Sequence, residues 1–463
     1  MTSLHPLAHP LTTIDRSPGR RGRRRPVAVA ALGALAIVGC GEERRPPLLG
    51  TGRAIPGCEQ FSYRSCDILT SDCQRELFGL AACLHGDSDP GAAPPVQQLD
   101  EASAIQLIDE ASDGMGMAAG VDAMTDMADM AFDEGDFLAE VRGLELIGLL
   151  DAGLIGSPDD VVEATVSDLL AYYLVPTKEV VIIDRGDPVD DADANGVLVH
   201  EFVHALQDRK HDLASFGADF AFDSDGYLAR SSLIEGEASM YYYLLLFAYE
   251  GRNVQSLDFR SFFASVREFA VELTLEAGSP ALTAGSIFPY TFGTTYAGQQ
   301  WVVGGSAAID ALYATPPHTS WEVLGGNAST ALTPLPEPPA PIDGYSMVTD
   351  DAAGAWVSVA MLASLPGADA FADELQELAS RWRGDRYWIY DSPDAGIATL
   401  WSIEWASADA AERFAELAAA LGPEGAALRI DTSGTSTRIT AVEREEDLEA
   451  WRARHAEAVP SSP

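Results

Sequence analysis

Residues 200 to 204 read His-Glu-Phe-Val-His. Two histidines four positions apart lie one turn apart on the same face of a helix, so both imidazoles can reach one ion. The glutamate beside the first can reach a water bound to that ion. The chain has only eight histidines, so such a pattern arises by chance in about one sequence of this kind in a hundred. Its neighbours Val197, Leu198, Val199, Phe202, Val203, Ala205 and Leu206 are apolar, which predicts a buried helix rather than a solvated pair of histidines. A catalytic zinc needs a third protein ligand and an open position. Downstream, Glu235-Gly236-Glu237 sits in a segment from about Leu228 to Tyr249 whose Tyr and Leu content predicts a second buried helix. A carboxylate on such a helix needs a partner, and a metal supplies one. Glu235 and Glu237 point about 200° apart on a helix, so only one can face the ion.

Other residues carry weaker chemistry. Asp191-Ala-Asp193-Ala-Asn195-Gly196 imitates the first half of a calcium loop, but Phe202 stands where that loop requires a bidentate Glu. It reads instead as a polar loop ending in a helix cap near Asn195. Tyr290, Tyr296 or His318 could donate a hydrogen bond to a developing oxyanion, although buried tyrosines also serve simply as core. Five methionines from Met115 to Met130 have a spacing that fits an apolar helix stripe better than a copper site.

His-Glu-x-x-His followed by a helix with Glu-Gly-x-Ala resembles the gluzincin metallopeptidases, whose third zinc ligand is the Glu directly before that Gly. Carried over, the metal residues are His200, His204 and Glu235, Glu201 is the general base acting on a zinc-bound water, and Zn2+ is the cofactor. The longer run from Val199 to Asp208, with Ile234 to Ala238, is similar to a group of little-characterised bacterial lipoproteins of the zinc metallopeptidase type. Phe288-Pro289-Tyr290, Gly304-Gly305, Pro316-Pro317 and Trp382 to Tyr387 carry the similarity further. The resemblance implies a peptide or protein substrate and an endopeptidase rather than an exopeptidase, with Tyr290 as a candidate catalytic donor. The alternative is a zinc-containing envelope binding or scaffold lipoprotein without turnover. Glu235 lies further downstream than in thermolysin-like enzymes, and no thermolysin-like proton-donor motif is present.

These residues must be positioned by a chain of 463 residues, too long for one small domain. Its net charge of −42 opposes binding to nucleic acid through phosphates. The Arg-rich stretch from Arg16 to Arg25 leads into an apolar segment ending in Ile37-Val38-Gly39-Cys40, the pattern of an export signal. Its end resembles a bacterial lipobox, which implies a lipid on Cys40 and an anchor in the cell envelope facing the periplasm or exterior. The other cysteines, Cys58, Cys66, Cys73 and Cys83, are clustered and even in number. In an exported protein they predict two disulfides with three possible connectivities, in preference to a zinc cluster, for which paired C-x2-C spacing is missing.

The reading is therefore a signal over 1–39, a tether over 40–57, a Cys-stapled unit over 58–90, a metallopeptidase-like domain over 91–330 and a C-terminal unit over 331–463. From Gln97 to Asp168 the pattern is mostly helical, and Glu179 to Ile183 is a strand. The C-terminal unit predicts strands near Tyr387–Tyr390, Ala398–Glu404, Ala427–Asp431 and Arg438–Val442, alternating with helices. The expected class is α+β: a mostly helical, gluzincin-like core with a small sheet, followed by a smaller α+β unit.

Overall fold

A computed structural model describes residues 54–112, 134–157, 160, 169–218, 223–327, 330, 332–365, 367–368, 372–420 and 427–458. Cys40, the signal-like segment and the five methionines lie outside them. The class is α+β, with 54% helix, 16% strand and two sheets. Among the described residues no helix is long and apolar enough to cross a membrane.

The first helix, α1 (Ser71–His85), ends at Gly86 in the left-handed conformation. Disulfides Cys58–Cys83 and Cys66–Cys73 staple the preceding segment to it, with Cα separations of 5.9 and 5.7 Å. Sulfur is thus used for cross-links here, and one of three connectivities is selected. Next come β1 (Val96–Asp100), α2 (Glu101–Ser112), α3 (Glu134–Ile147), β2 (Ala171–Leu174) and β3 (Glu179–Asp184). The small sheet has the order β1-β3-β2, with β1 parallel and β2 antiparallel to β3. The start of the stretch expected to be helical, Gln97–Asp100, is therefore strand, because its backbone pairs with Val181–Asp184 far along the chain.

The metal-binding candidates lie on two crossing helices, α4 (Ala192–His211) and α5 (Ser224–Tyr249). Helix α4 begins three residues before Asn195. Asp191 Oδ1 caps it by accepting from the Ala194 backbone N–H at 2.8 Å. Asn195 is fully buried and bonds both backbone polar groups of Cys66 and the Tyr249 hydroxyl, so it locks the stapled unit onto the helix pair. Helix α5 is capped by Asp223 and buried on nearly all sides, as an all-round apolar helix must be. It packs against α4 and against α6 (Pro280–Gly304). Phe78 of α1 meets Phe202 of α4 edge to face.

The C-terminal sheet is antiparallel with order β4-β5-β6-β8-β7, formed by β4 (Ser346–Asp351), β5 (Trp382–Ser392), β6 (Gly396–Trp405), β7 (Ala427–Ser433) and β8 (Ser436–Val442). The four expected strands are present, and β4 adds a fifth on the edge. Helix α3 packs on this sheet: the Ile389 side chain fills the space beside Gly143, and Thr399 Oγ1 donates to the Gly143 carbonyl at 3.0 Å. The Trp382–Tyr387 run has a structural role. Asp385 accepts from the Ala353 and Gly354 N–H groups at 2.8 and 2.9 Å and from the indoles of Trp401 and Trp382 at 2.8 and 3.1 Å. Asp351 in turn accepts from the Ser224 N–H at 2.7 Å, which fastens the first turn of α5 to the C-terminal unit.

Candidate metal centre

Helix α4 presents His200 and His204 on one face, with ring centroids 4.6 Å apart. Where α5 crosses, Glu235 Oε2 lies 3.0 Å from His200 Nε2 and 3.3 Å from His204 Nε2. The donor atoms of the three residues all lie within 4.8 Å of one another, and among the described residues this is the group that could hold a metal ion. All three are buried, at 3%, 1% and 3% exposure. Glu235 Oε1 and His200 Nδ1 are buried without a hydrogen-bond partner. Buried polar atoms are normally satisfied, so a buried carboxylate with Oε2 beside two imidazoles and Oε1 without a partner fits a cation-binding group. Two nitrogens and one carboxylate suit zinc, and three protein donors leave a position open.

The electrostatics agree. Burial opposes an imidazolium at His204, yet the Glu235 carboxylate raises its pKa. Burial likewise opposes a charged Glu235, yet the two imidazoles hold its pKa well below the usual carboxylate range. The cluster is built for positive charge at its centre. Glu201 is 5% exposed. Burial raises its pKa, the two imidazoles pull it back, and Glu235 pushes it up again.

Behind these residues is a layer that sequence reasoning did not find. His204 Nδ1 lies 2.8 Å from Gln207 Oε1, and Gln207 Nε2 donates to the Ile234 carbonyl and to Glu237 Oε2, both at 3.0 Å. Since an amide oxygen only accepts, Nδ1 donates to Gln207, which fixes the ring with Nε2 turned toward Glu235. Glu237 also accepts from the hydroxyls of Tyr313 at 2.9 Å and Tyr241 at 3.2 Å, with His85 Nε2 3.7 Å away. It therefore faces away from the metal position and braces His204 through Gln207. The available signal was the polar Gln207 one turn after His204 in an otherwise apolar run.

The packing of α5 explains why a glycine follows Glu235. A Cβ there would sit 2.2 Å from the Gly293 backbone, and one at Gly293 would sit 2.4 Å from the Ser232 carbonyl oxygen. Helices α5 and α6 touch backbone to backbone at this level, next to Glu235. Helix α6 also carries Tyr290, whose ring lies 6.1 Å from that of His200 and nearly parallel to it. Tyr296 is partly buried and packs against a different core cluster. His318 is exposed, with its backbone beside Gly226, nine residues before Glu235 or about 13 Å along the helix. Neither is brought to the centre. The calcium-like loop does not converge, because Asp191 and Asn195 are engaged as described and Asp193 accepts from the Tyr242 hydroxyl at 3.4 Å.

Residues 344–459 match a family described as a Domain of unknown function (DUF8575). No curated protein and no solved structure matches the chain.

Proposed function

We propose that this protein is a zinc-dependent peptide-bond hydrolase with a gluzincin-like core, an endopeptidase held at the bacterial cell envelope by a lipid on Cys40. The observation that carries the reading is the convergence of His200, His204 and Glu235 in one buried cluster, with Glu235 Oε2 between the two imidazoles, Oε1 unsatisfied and Glu201 alongside. His200 and His204 offer Nε2 and Glu235 offers a carboxylate oxygen as ligands. When bound, zinc supplies a Lewis acid that polarises a peptide carbonyl and acidifies a water. Glu201 takes the proton of the attacking water and delivers it to the leaving amine, so that one water is consumed as the C–N bond breaks and a C–O bond forms. Tyr290, beside His200, donates to the oxyanion that develops on the carbonyl.

A second reading, a zinc centre held without turnover in an envelope scaffold protein, is favoured by the near-complete burial of the four groups. The zinc-loaded protein and its Glu201→Gln variant, incubated with a mixture of unstructured peptides and analysed by mass spectrometry, separate the two. Hydrolysis is expected in the first and a loss of about 100-fold or more in the second, with zinc content unchanged. Equal cleavage by both refutes the role of this site, and cleavage by neither supports the scaffold. For the anchor, Cys40→Ser is expected to move the protein out of the membrane fraction. A processed variant that stays membrane-bound sinks the lipid assignment.

A further inference from the structure

An apolar cavity of about 120 Å³ opens between the helical core and the C-terminal unit. Leu228 of α5, Leu282, Gly285 and Pro289 of α6, and Val357 and Tyr387 of the C-terminal unit form much of its wall. Its volume is close to the roughly 150 Å³ of an apolar cavity that holds one benzene ring, and far below the roughly 300 Å³ at which drug-sized ligand pockets begin. It fits a single large side chain.

Three observations connect it to the metal centre and to a peptide. First, both helices lead from one to the other. Leu228 lies two turns before Glu235 on α5, and Ser286 and Pro289 of the cavity wall lie one turn and one residue before Tyr290 on α6. Leu228 is seven residues from Glu235, about 10 Å along the axis, which is the reach of about three residues of extended chain. Second, Pro289 lies inside α6 and has no N–H, so the Gly285 carbonyl lacks its helical partner at the cavity wall. An extended peptide brings a backbone N–H that can fill this place. Third, the Ser224 and Tyr387 hydroxyls at the wall both donate to Asp351, so their protons are already used and the cavity favours an apolar guest.

We propose that this cavity is a specificity subsite that takes one large apolar side chain, Phe or Leu, of a peptide substrate about three residues from the bond that is cut, and that the C-terminal unit exists in part to supply its outer wall. The proposal rests on the hydrolase reading of the metal centre, and its test has an arm independent of turnover.

Gly285→Leu fills the cavity. A Cβ at Gly285 meets only the Val357 side chain at 3.9 Å, an ordinary contact, and leucine is a better helix former than glycine, so the variant folds. Gly285→Ala keeps most of the space and controls for loss of the glycine. Binding of N-acetyl-L-phenylalaninamide to the zinc-loaded proteins is followed by ligand-observed NMR, and the kcat/KM ratio is measured for a peptide with Phe at the proposed position against one with Ala. Wild type and Gly285→Ala are expected to bind the probe, and Gly285→Leu to bind it about tenfold or more weakly. The Phe over Ala ratio is expected to be about tenfold or more in wild type and near one in Gly285→Leu. No probe binding by wild type, equal binding by Gly285→Leu, or an unchanged Phe over Ala ratio overturns the proposal. Probe binding lost in Gly285→Leu, in a protein that cleaves no peptide at all, supports the cavity as an apolar side-chain site and refutes the hydrolase reading.

Discussion

Glu235 and Glu237 are chemically identical and two positions apart, yet the fold gives one of them two imidazoles and the other an amide and two phenols. Their environments predict different losses. Glu235→Gln leaves two imidazoles and a neutral side chain, so zinc affinity is expected to fall by orders of magnitude. Glu237→Gln removes a brace of His204 and is expected to cost about 10- to 100-fold. Zinc titration of both purified variants decides this. A fully loaded Glu235→Gln beside an empty Glu237→Gln would move the ligand by two residues.

At the level of elements, the site depends on how closely α5 approaches α6. Gly236 and Gly293 allow backbone contact next to Glu235, where no side chain can be accommodated without moving a helix. Gly236→Ala is therefore expected to destabilise the protein by about 3 kcal/mol or more, since the clash is with backbone rather than a flexible side chain. It is also expected to weaken zinc binding by shifting Glu235. Thermal unfolding and zinc titration report the two effects separately, and an unchanged melting temperature would show that the two helices can part freely. By contrast, Gly285 on α6 has room for a Cβ, so helix glycines here differ in purpose.

On the scale of the whole molecule, α3 buries Glu140 against the C-terminal sheet at 4% exposure. Burial, aided by the nearby Asp351 carboxylate, pushes its pKa from 4.5 up to about 7. The folded state therefore holds a proton that the unfolded state releases. This stability is fully present below the unfolded pKa of 4.5 and is lost as pH rises through about 7. The displacement corresponds to about 3 kcal/mol. Glutamine mimics the protonated form. Glu140→Gln should thus change unfolding little near pH 4 and stabilise the protein by about 3 kcal/mol near pH 8.5. Equal effects at both pH values, or destabilisation confined to high pH, would contradict the assignment.

What lay within a few residues could be read directly. The spacing of His200 and His204 places them on one helix face whatever surrounds it, and the β-branched and aromatic runs of β5 to β8 mark strands because each carries its own alternation. The resemblance pointed to Glu235 over Glu237, but only the crossing of α4 and α5 places its oxygen between two imidazoles. The pairing of β1 with β3, the choice among three cysteine connectivities and the brace from Gln207 to Glu237 were not readable in the same way. Nor was the packing of α3 on a sheet more than two hundred residues downstream. Each of these joins segments far apart in the chain. Local hydrogen bonding and side-chain periodicity are set by neighbouring residues, whereas contacts between distant segments exist only once the whole core has packed and brought their backbones within a few ångströms.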